Sequence, residues 1–545
     1  MGASLRRWGG LVFVLLVGLL ICLPFMNNPL FFDDQYFFQP GNPEKMLAGG
    51  IHLYPRWWVY ETLAATYVGL GTKLLWLRLG NLLFHLSVVL ALSVLVRNLL
   101  RDLDRRVGLF VSADVAALLV AALFIVHPLA VFTQGYLIQR TTLCATLFSL
   151  LSLLAFWRGL SGSRLALWGS CLLFALAVYA KEHAVMLPLS AFLLLVLRCR
   201  SGLTLGVSLR SILAALSAQC VLALLVVLQL KSVIGVPYEI LTLEVLRGEV
   251  YIPQEQLYPL SVLNQASLFF KYMGLWLLPA PAAISVDLRP AFPLDFYSWQ
   301  LWVGAVAFLG YMVGALALLL RGGAKGLLGL SLLLPGVMFF TEFASVRLQE
   351  PFVVYRSYLW APFLYIGIAL GLRRLRIRVL LVILLLFVCL FAAFSFQRLK
   401  TFSHPVLLWR EAADVYEANP QEVGVFGGYR IYYNLGSELR TLGYLQPALD
   451  ALNRSLVLKP DYGWALSNRG AIFLDMKNYP AAKADYERAA KLMPGEMLPW
   501  NGLVQVLEAQ GEHAQAENAR QVICALGGQV DCGLIESEDL PVTQP

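Results

Sequence analysis

Apolar runs approaching the ~20 residues needed to span a bilayer recur along the first three quarters of the chain and then stop. They fall at residues 11–23, the stretch ending at Arg97, 111–126, 141–157, the stretches ending at Lys181 and Arg198, 212–230, 301–320, 327–340, 359–372 and 379–396. The pattern predicts about eleven spanning helices. A further apolar piece, 267–281, is broken by Lys271, Pro279 and Pro281, and reads as a re-entrant or interfacial helix inside a long loop over 232–300. From about residue 397 no apolar run is long enough to span, and a period of 34 residues takes over. Ala448, Ala482 and Ala516 keep that interval, as do Gly436 and Gly470, Asn434 and Asn468, and Pro460 and Pro494. A helical hairpin of that length buries its apolar face only by stacking on the next, so the repeat predicts a tetratricopeptide (TPR) α-solenoid. Two units are clear and a third, over 503–525, is looser. The expected fold is all-α: a transmembrane helical bundle over 1–396, a connecting segment over 397–430, repeats over 431–526 and a tail over 527–545.

Composition agrees, with 59% hydrophobic and 14% charged residues. The net charge of +8 raises the question of nucleic acid, but its distribution excludes it. Basic residues gather in short turns between apolar runs, at Arg6-Arg7 and within 97–106, 158–164, 198–210, 321–325 and 373–378. That is the positive-inside pattern, which makes those turns cytoplasmic and leaves no basic stripe for nucleic acid. Counting 267–281 as a span would put the last two basic turns outside. The first segment lacks a small-x-small cleavage site at Cys22-Leu23-Pro24-Phe25-Met26 and reads as a retained anchor. Alternation from there puts Asp33-Asp34 and the repeats on the outer face. Cys524 and Cys532 are the two cysteines of the soluble part, and a disulfide between them would need an oxidising compartment such as a periplasm. Short loops and Gly/Leu-rich spans point to a bacterial inner membrane.

The candidate chemistry begins with Asp33-Asp34, two carboxylates flanked by aromatics where the first span leaves the bilayer. Carboxylates are costly there, so chemistry explains them better than packing. The same face carries Arg56, His127, Gln134, Gln139, Arg140, Lys181, Glu182, His183, Asp287, Glu350, Arg356, Ser357 and Tyr358, while Asn81 and His85 lie four apart on one face of a span. Together they predict an outer cavity with carboxylates on one side and cations for a phosphate on the other. A divalent cation, Mg or Mn, would bridge Asp33 and Asp34 to such a phosphate, although the histidines show no ligand spacing. No Ser-His-Asp constellation, Walker loop or dinucleotide fingerprint is present. A transporter would favour an internal membrane repeat, and none is evident. A non-enzymatic membrane-anchored repeat scaffold for envelope proteins and a lipid-linked-sugar transporter are the rival readings.

The order of these elements resembles a known family. Asp33-Asp34 comes first, then Arg56 ahead of Asn81-Leu82-Leu83-Phe84-His85, His127-Pro128, Tyr136-Leu137-Ile138-Gln139-Arg140 and Ala180-Lys181-Glu182, and a repeat tail closes the chain. The chain resembles the GT-C-type membrane glycosyltransferases with C-terminal TPRs, similar to the transmembrane O-mannosyltransferases of the eukaryotic secretory pathway and their bacterial relatives. One element departs: relatives often carry Glu-x-Arg-x-Tyr-Leu, whereas here Val354-Tyr355-Arg356-Ser357-Tyr358-Leu359 lacks the Glu, with Glu350 earlier. The resemblance implies a polyprenyl-phosphate-linked sugar donor and an Asp of the first outer loop as general base. It implies a hydroxyl acceptor on an exported protein, for instance a pilin-like one, and a repeat domain that presents it. Arg56, Arg140, Lys181 and Arg356 would hold the donor phosphate.

Overall fold

A computed structural model of the protein describes residues 2–50, 52–104, 109–236, 252–419 and 424–528. Among these residues there is no β-strand, and a single isolated antiparallel bridge joins Leu288 and Phe352. The chain divides into two compact units, Met1–Leu407 with Pro420–Phe426, and Leu408–Asn419 with Gly427–Pro545. Helix Ile377–Thr401 runs through the boundary expected at residue 396. Arg105, Arg106, Cys532 and all but the first two residues of the expected tail lie outside the described residues.

Among the described residues of the first unit, seven helices are long and apolar enough to cross a bilayer: Leu74–Leu103, Leu137–Leu160, Glu182–Arg200, Leu209–Gln229, Trp299–Leu319, Gly323–Ala344 and Arg378–Thr401. Four shorter apolar helices of 10–17 residues, Gly9–Phe25, Ala113–Ile125, Arg164–Ala180 and Ala361–Leu372, occupy the other expected spans. All eleven expected segments are helical, and among the described residues seven of them are long and apolar enough to cross a bilayer. Local chemistry shortens two of the four. His127-Pro128 follows Ala113–Ile125, and a residue before proline is driven out of the helical region. Lys181 adopts an extended backbone that ends Arg164–Ala180.

Burial ranks the helices. In their most apolar 18-residue stretches, 72% of Leu137–Leu160 is buried, against 17% of Trp299–Leu319 and of Arg378–Thr401. The outer helices expose Val303, Val306, Leu309, Val382, Leu385 and Leu386, consistent with helices that face lipid.

Polar contacts separate the two ends of the unit. At one end the basic turns meet. Arg373 Nη1 donates to Asp104 Oδ2 at 2.7 Å and its Nε to Val111 O at 3.1 Å. Arg198 Nη1 donates to Ser161 Oγ at 3.0 Å, and Arg200 Nε to Leu320 O at 2.8 Å. The candidate residues lie at the opposite helix ends. Helix Gln254–Leu277, which contains most of the 267–281 piece, does not join the two ends. Its Ser261, Gln265, Tyr272 and Trp276 bond in turn to Arg347, Pro351, Val353 and Ser357, so it lies along residues 347–357.

The second unit holds three helix pairs: Gly428–Thr441 with Leu445–Leu458, Gly463–Asp475 with Tyr479–Leu492, and Met497–Ala509 with His513–Ala525. The third pair, read from sequence as looser, is complete. Ala448, Ala482 and Ala516 are fully buried, because a methyl is all that fits where paired helices touch. Arg469 grips Asp485 with both arms of its fork, each bond at 2.7 Å. Cys524 is disulfide-bonded, while Cys22, Cys144, Cys171, Cys199, Cys220 and Cys389 are free.

Gly502 lies against the buried ring of Tyr486, where a Cβ would approach to 2.1 Å. Gly502→Ala is expected to destabilise this unit by about 1–3 kcal/mol, the range for overpacking. Gly495→Ala, with nothing within 4 Å, should leave it unchanged. Limited proteolysis of the C-terminal unit during thermal unfolding of the detergent-purified chain reads the difference, and equal melting of the two variants would contradict this packing.

Candidate functional site

The adjacent aspartates have separate environments. Asp34 is fully buried, and its Oδ2 and Oδ1 accept the backbone N–H groups of Leu137 and Ile138, each at 2.8 Å. Burial pushes its carboxyl up to about 7, against the pull of those two amides and of Arg78. Arg78 completes the clamp. Its Nη2 donates to Asn28 O and Pro29 O at 2.8 and 2.6 Å, and its Nη1 to Gly135 O at 2.9 Å. Asn81 Nδ2 donates to Leu137 O at 3.1 Å. The loop after the first helix is thus fastened to residues 135–138 from several sides.

Asp33 is exposed. Its backbone N–H donates to Tyr136 Oη at 3.3 Å. The residue before it, Phe32, has φ +52° and ψ −130°, and its ring meets Tyr136 edge-on at 5.3 Å. A non-glycine residue in that region carries of order 1–3 kcal/mol of strain and persists only where its surroundings impose it. Here the buried Phe31, Asp34 and Phe38 on either side impose it. Arg56 shares the feature at φ +73°, held by its N–H bond to Tyr179 O at 2.7 Å.

Around Asp33 stands a wall of paired charges. Arg56 grips Glu182 through Nε at 3.0 Å and through Nη2. His183 Nδ1 lies 3.4 Å from Glu182 and its Nε2 3.3 Å from Glu342. Glu342 lies 3.4 Å from Arg347 and 3.5 Å from Arg356, and Arg356 also holds Glu350 at 2.9 Å. Lys181 is buried, donating to Gln139 Oε1 at 3.0 Å and Thr142 Oγ1 at 2.8 Å. It has no carboxylate partner among the described residues. Burial, and then Arg56, hold its ammonium down to about 7. Tyr355 stands where these groups converge. Lys181 Nζ is 5.3 Å above its ring, Tyr136 meets it at 5.8 Å, and its hydroxyl, raised by burial, lies in the fields of Glu350, Arg356, Asp33 and Arg56.

The structure therefore brings together Asp33, Arg56, Lys181, Gln139, Glu182, Glu350 and Arg356. It sets others apart. Arg140, expected at the donor phosphate, spends its fork on Asn81 Oδ1 at 2.8 Å, Thr62 O at 3.1 Å, Thr66 Oγ1 at 3.3 Å and Leu77 O at 2.9 Å. It lies so close over Gly80 that a Cβ there would meet Nη2 at 2.7 Å. That expectation is corrected: Arg140 holds helices together. Asn81 belongs to the same clamp. His85 bonds Tyr358 Oη at 2.6 Å, and His127 stacks on Trp276 at 4.4 Å, all of them buried. Asp287 pairs with Arg289 at 2.7 Å. A cation bridged by both aspartates does not fit either, because both Asp34 oxygens are already taken by amides. Among the described residues no cluster of three or more His, Cys, Asp or Glu is placed to hold a metal.

Arg78, Tyr136, Glu342, Arg347 and Tyr355 join the site beyond the candidates read from sequence, which included His183. Arg78 and Glu342 carried a usable signal, since a charge inside an apolar run needs a partner or a role. Tyr136 and Tyr355 carried none beyond their place in the quoted motifs.

Residues 429–462 match the tetratricopeptide repeat family model, which identifies the first helix pair of the second unit as such a repeat. No curated protein matches the chain.

Asp34→Asn is expected to lower stability by about 1–3 kcal/mol, because an amide has one acceptor oxygen and leaves a buried N–H of Leu137 or Ile138 unpaired. Asp33→Asn should melt like the parent. Thermal unfolding of both variants in detergent checks this, and equal melting temperatures would contradict the assigned split.

Proposed function

We propose that the protein is a membrane glycosyltransferase of the GT-C type. It moves a sugar from a polyprenyl-phosphate donor to a Ser or Thr hydroxyl of an exported protein, on the outer, periplasmic face of a bacterial inner membrane. The observation that carries the reading is Asp33: an exposed carboxylate directly after the strained Phe32, sharing the field at Tyr355 with Arg56 and Arg356, while Lys181 lies over the same ring. Repeats of the tetratricopeptide kind generally bind proteins, which supports recruitment of an acceptor protein by the second unit.

Asp33 accepts the proton of the acceptor hydroxyl as its oxygen attacks the anomeric carbon. A new C–O bond forms on one face while the bond to the phosphate oxygen breaks on the other, so configuration inverts. The electron pair leaves with the polyprenyl phosphate, which departs as an anion held by Lys181 and the arginines. A positioned base of this kind contributes about 10²–10⁴-fold. Cations placed beforehand at the leaving phosphate stabilise charge where it develops. Asp34 supports the reaction by fixing the loop that carries Asp33.

In host membranes with endogenous donor and acceptor, Asp33→Asn is expected to lower glycan transfer by at least 100-fold while folding normally, read by intact-mass spectrometry of exported proteins. Unchanged glycosylation would overturn the transferase reading and favour the repeat scaffold, or a lipid-linked-sugar transporter if lipid-linked sugar still crossed the membrane. Binding of undecaprenyl phosphate should weaken as pH rises through about 7. Lys181 is held down to about 7, so it is cationic below that value and loses its charge above it. A pH-independent affinity between 6 and 8 would remove Lys181 from the phosphate site.

A further inference from the structure

Glu182 occupies the place on Arg56 that suits a phosphate. An arginine fork takes a carboxylate or a phosphate through the same pair of parallel N–H donors, and here both donors are spent on Glu182. The pair stands at the rim of the site: the Arg56 side chain is 42% exposed, against 18% for Glu182. Arg56 is therefore within reach of an incoming anion, whereas Glu182 is mostly buried, so it can leave only for another partner. Burying the displaced carboxylate without a partner would be prohibitive, and the structure supplies a partner. His183 has only 11% of its side chain exposed, lies between Glu182 and Glu342, and neither of its ring nitrogens makes a well-formed hydrogen bond.

We infer that Glu182 is a resident stand-in for the donor phosphate, occupying Arg56 while the site is empty and passing to His183 when the phosphate arrives. The inference rests on the transferase reading above. Charge bookkeeping supports the exchange. Arg56, Lys181, Arg347 and Arg356 stand against Asp33, Glu182, Glu342 and Glu350. A phosphodiester adds one negative charge at Arg56, and the His183 ring, with Nδ1 3.4 Å from Glu182, offers the donor that Glu182 then needs. The groups that face His183 in this exchange are Glu182 and Glu342 directly, and Arg56, Arg347 and Arg356 through them. The device keeps Arg56 in place on its left-handed backbone between turnovers. It also sets a threshold: a ligand must out-compete a carboxylate already seated.

The test is equilibrium binding of undecaprenyl phosphate to the purified full-length protein in nanodiscs, with phosphatidylglycerol as a competing phosphodiester. Glu182→Gln keeps the shape of the side chain and removes its charge, so it is expected to bind undecaprenyl phosphate about tenfold tighter than the parent. A residue that merely braces Arg56 would give the opposite sign, and equal or weaker binding by a normally melting Glu182→Gln variant overturns the inference. His183→Ala removes the alternative partner and should bind several-fold more weakly; unchanged binding also overturns it, even if Glu182→Gln fails to fold. Failure of the parent protein to bind undecaprenyl phosphate at all would sink the transferase reading itself, and the stand-in with it. Displacement by an equimolar amount of phosphatidylglycerol would assign the site to phospholipid and remove the donor.

Discussion

The site depends on the clamp between Asp34 and residues 137–138. One buried carboxylate accepts two backbone amides at 2.8 Å, and hydrogen bonds to a charged group contribute about 1.5–3 kcal/mol each. Those bonds fasten the loop after the first helix to the approach of helix Arg140–Leu160. Arg78 and Asn81, both from helix Leu74–Leu103, lock the same junction from behind. With Asp34 fixed, Asp33 has nowhere to point but outward, and the positive φ of Phe32 shows that the chain is forced into that arrangement. The strain is local, and the buried residues on both sides hold it.

The same division of labour runs through the charged groups. Arg140 and Arg78 hold helices together through carbonyls, while Arg56 and Arg356 are held by carboxylates. Lys181 differs from all of them, because its partners are a neutral amide and a hydroxyl. An ammonium buried that way carries a desolvation cost that the fields of Glu182 and Glu342 only partly offset, which lowers its proton affinity and readies it for an anionic ligand. The ring of Tyr355 beneath it supplies the face of a cation–π contact at 5.3 Å.

Much of the fold was legible from periodicity alone. The 34-residue spacing of Ala448, Ala482 and Ala516 translates directly into three fully buried positions, because a stacked repeat forces the same small residue at each contact. The helical segments of the bundle were legible for the same reason, but their lengths were not. A proline and an extended residue cut two of them below spanning length, which hydropathy averages over. Within the site, the residues that converge on Asp33 carry charges that sequence can flag. Their commitments are tertiary facts. Nothing in the string distinguishes Asp33 from Asp34, or a bracing Arg140 from an exchangeable Arg56. The glutamate absent from the Val354-Tyr355-Arg356 register is a further case: Glu350 reaches Arg356 from one side, and Glu342, from a different helix end, approaches it from the other.

The central claim is that Asp33 faces the aqueous side opposite the arginine-rich turns. Tyr36 is exposed three residues beyond Asp33, and the free Cys199 is exposed among those turns. In intact spheroplasts, a membrane-impermeant maleimide should label the thiol introduced by Tyr36→Cys and leave Cys199 unlabelled until the membrane is opened. Labelling of Cys199 first, with the introduced thiol protected, would contradict it.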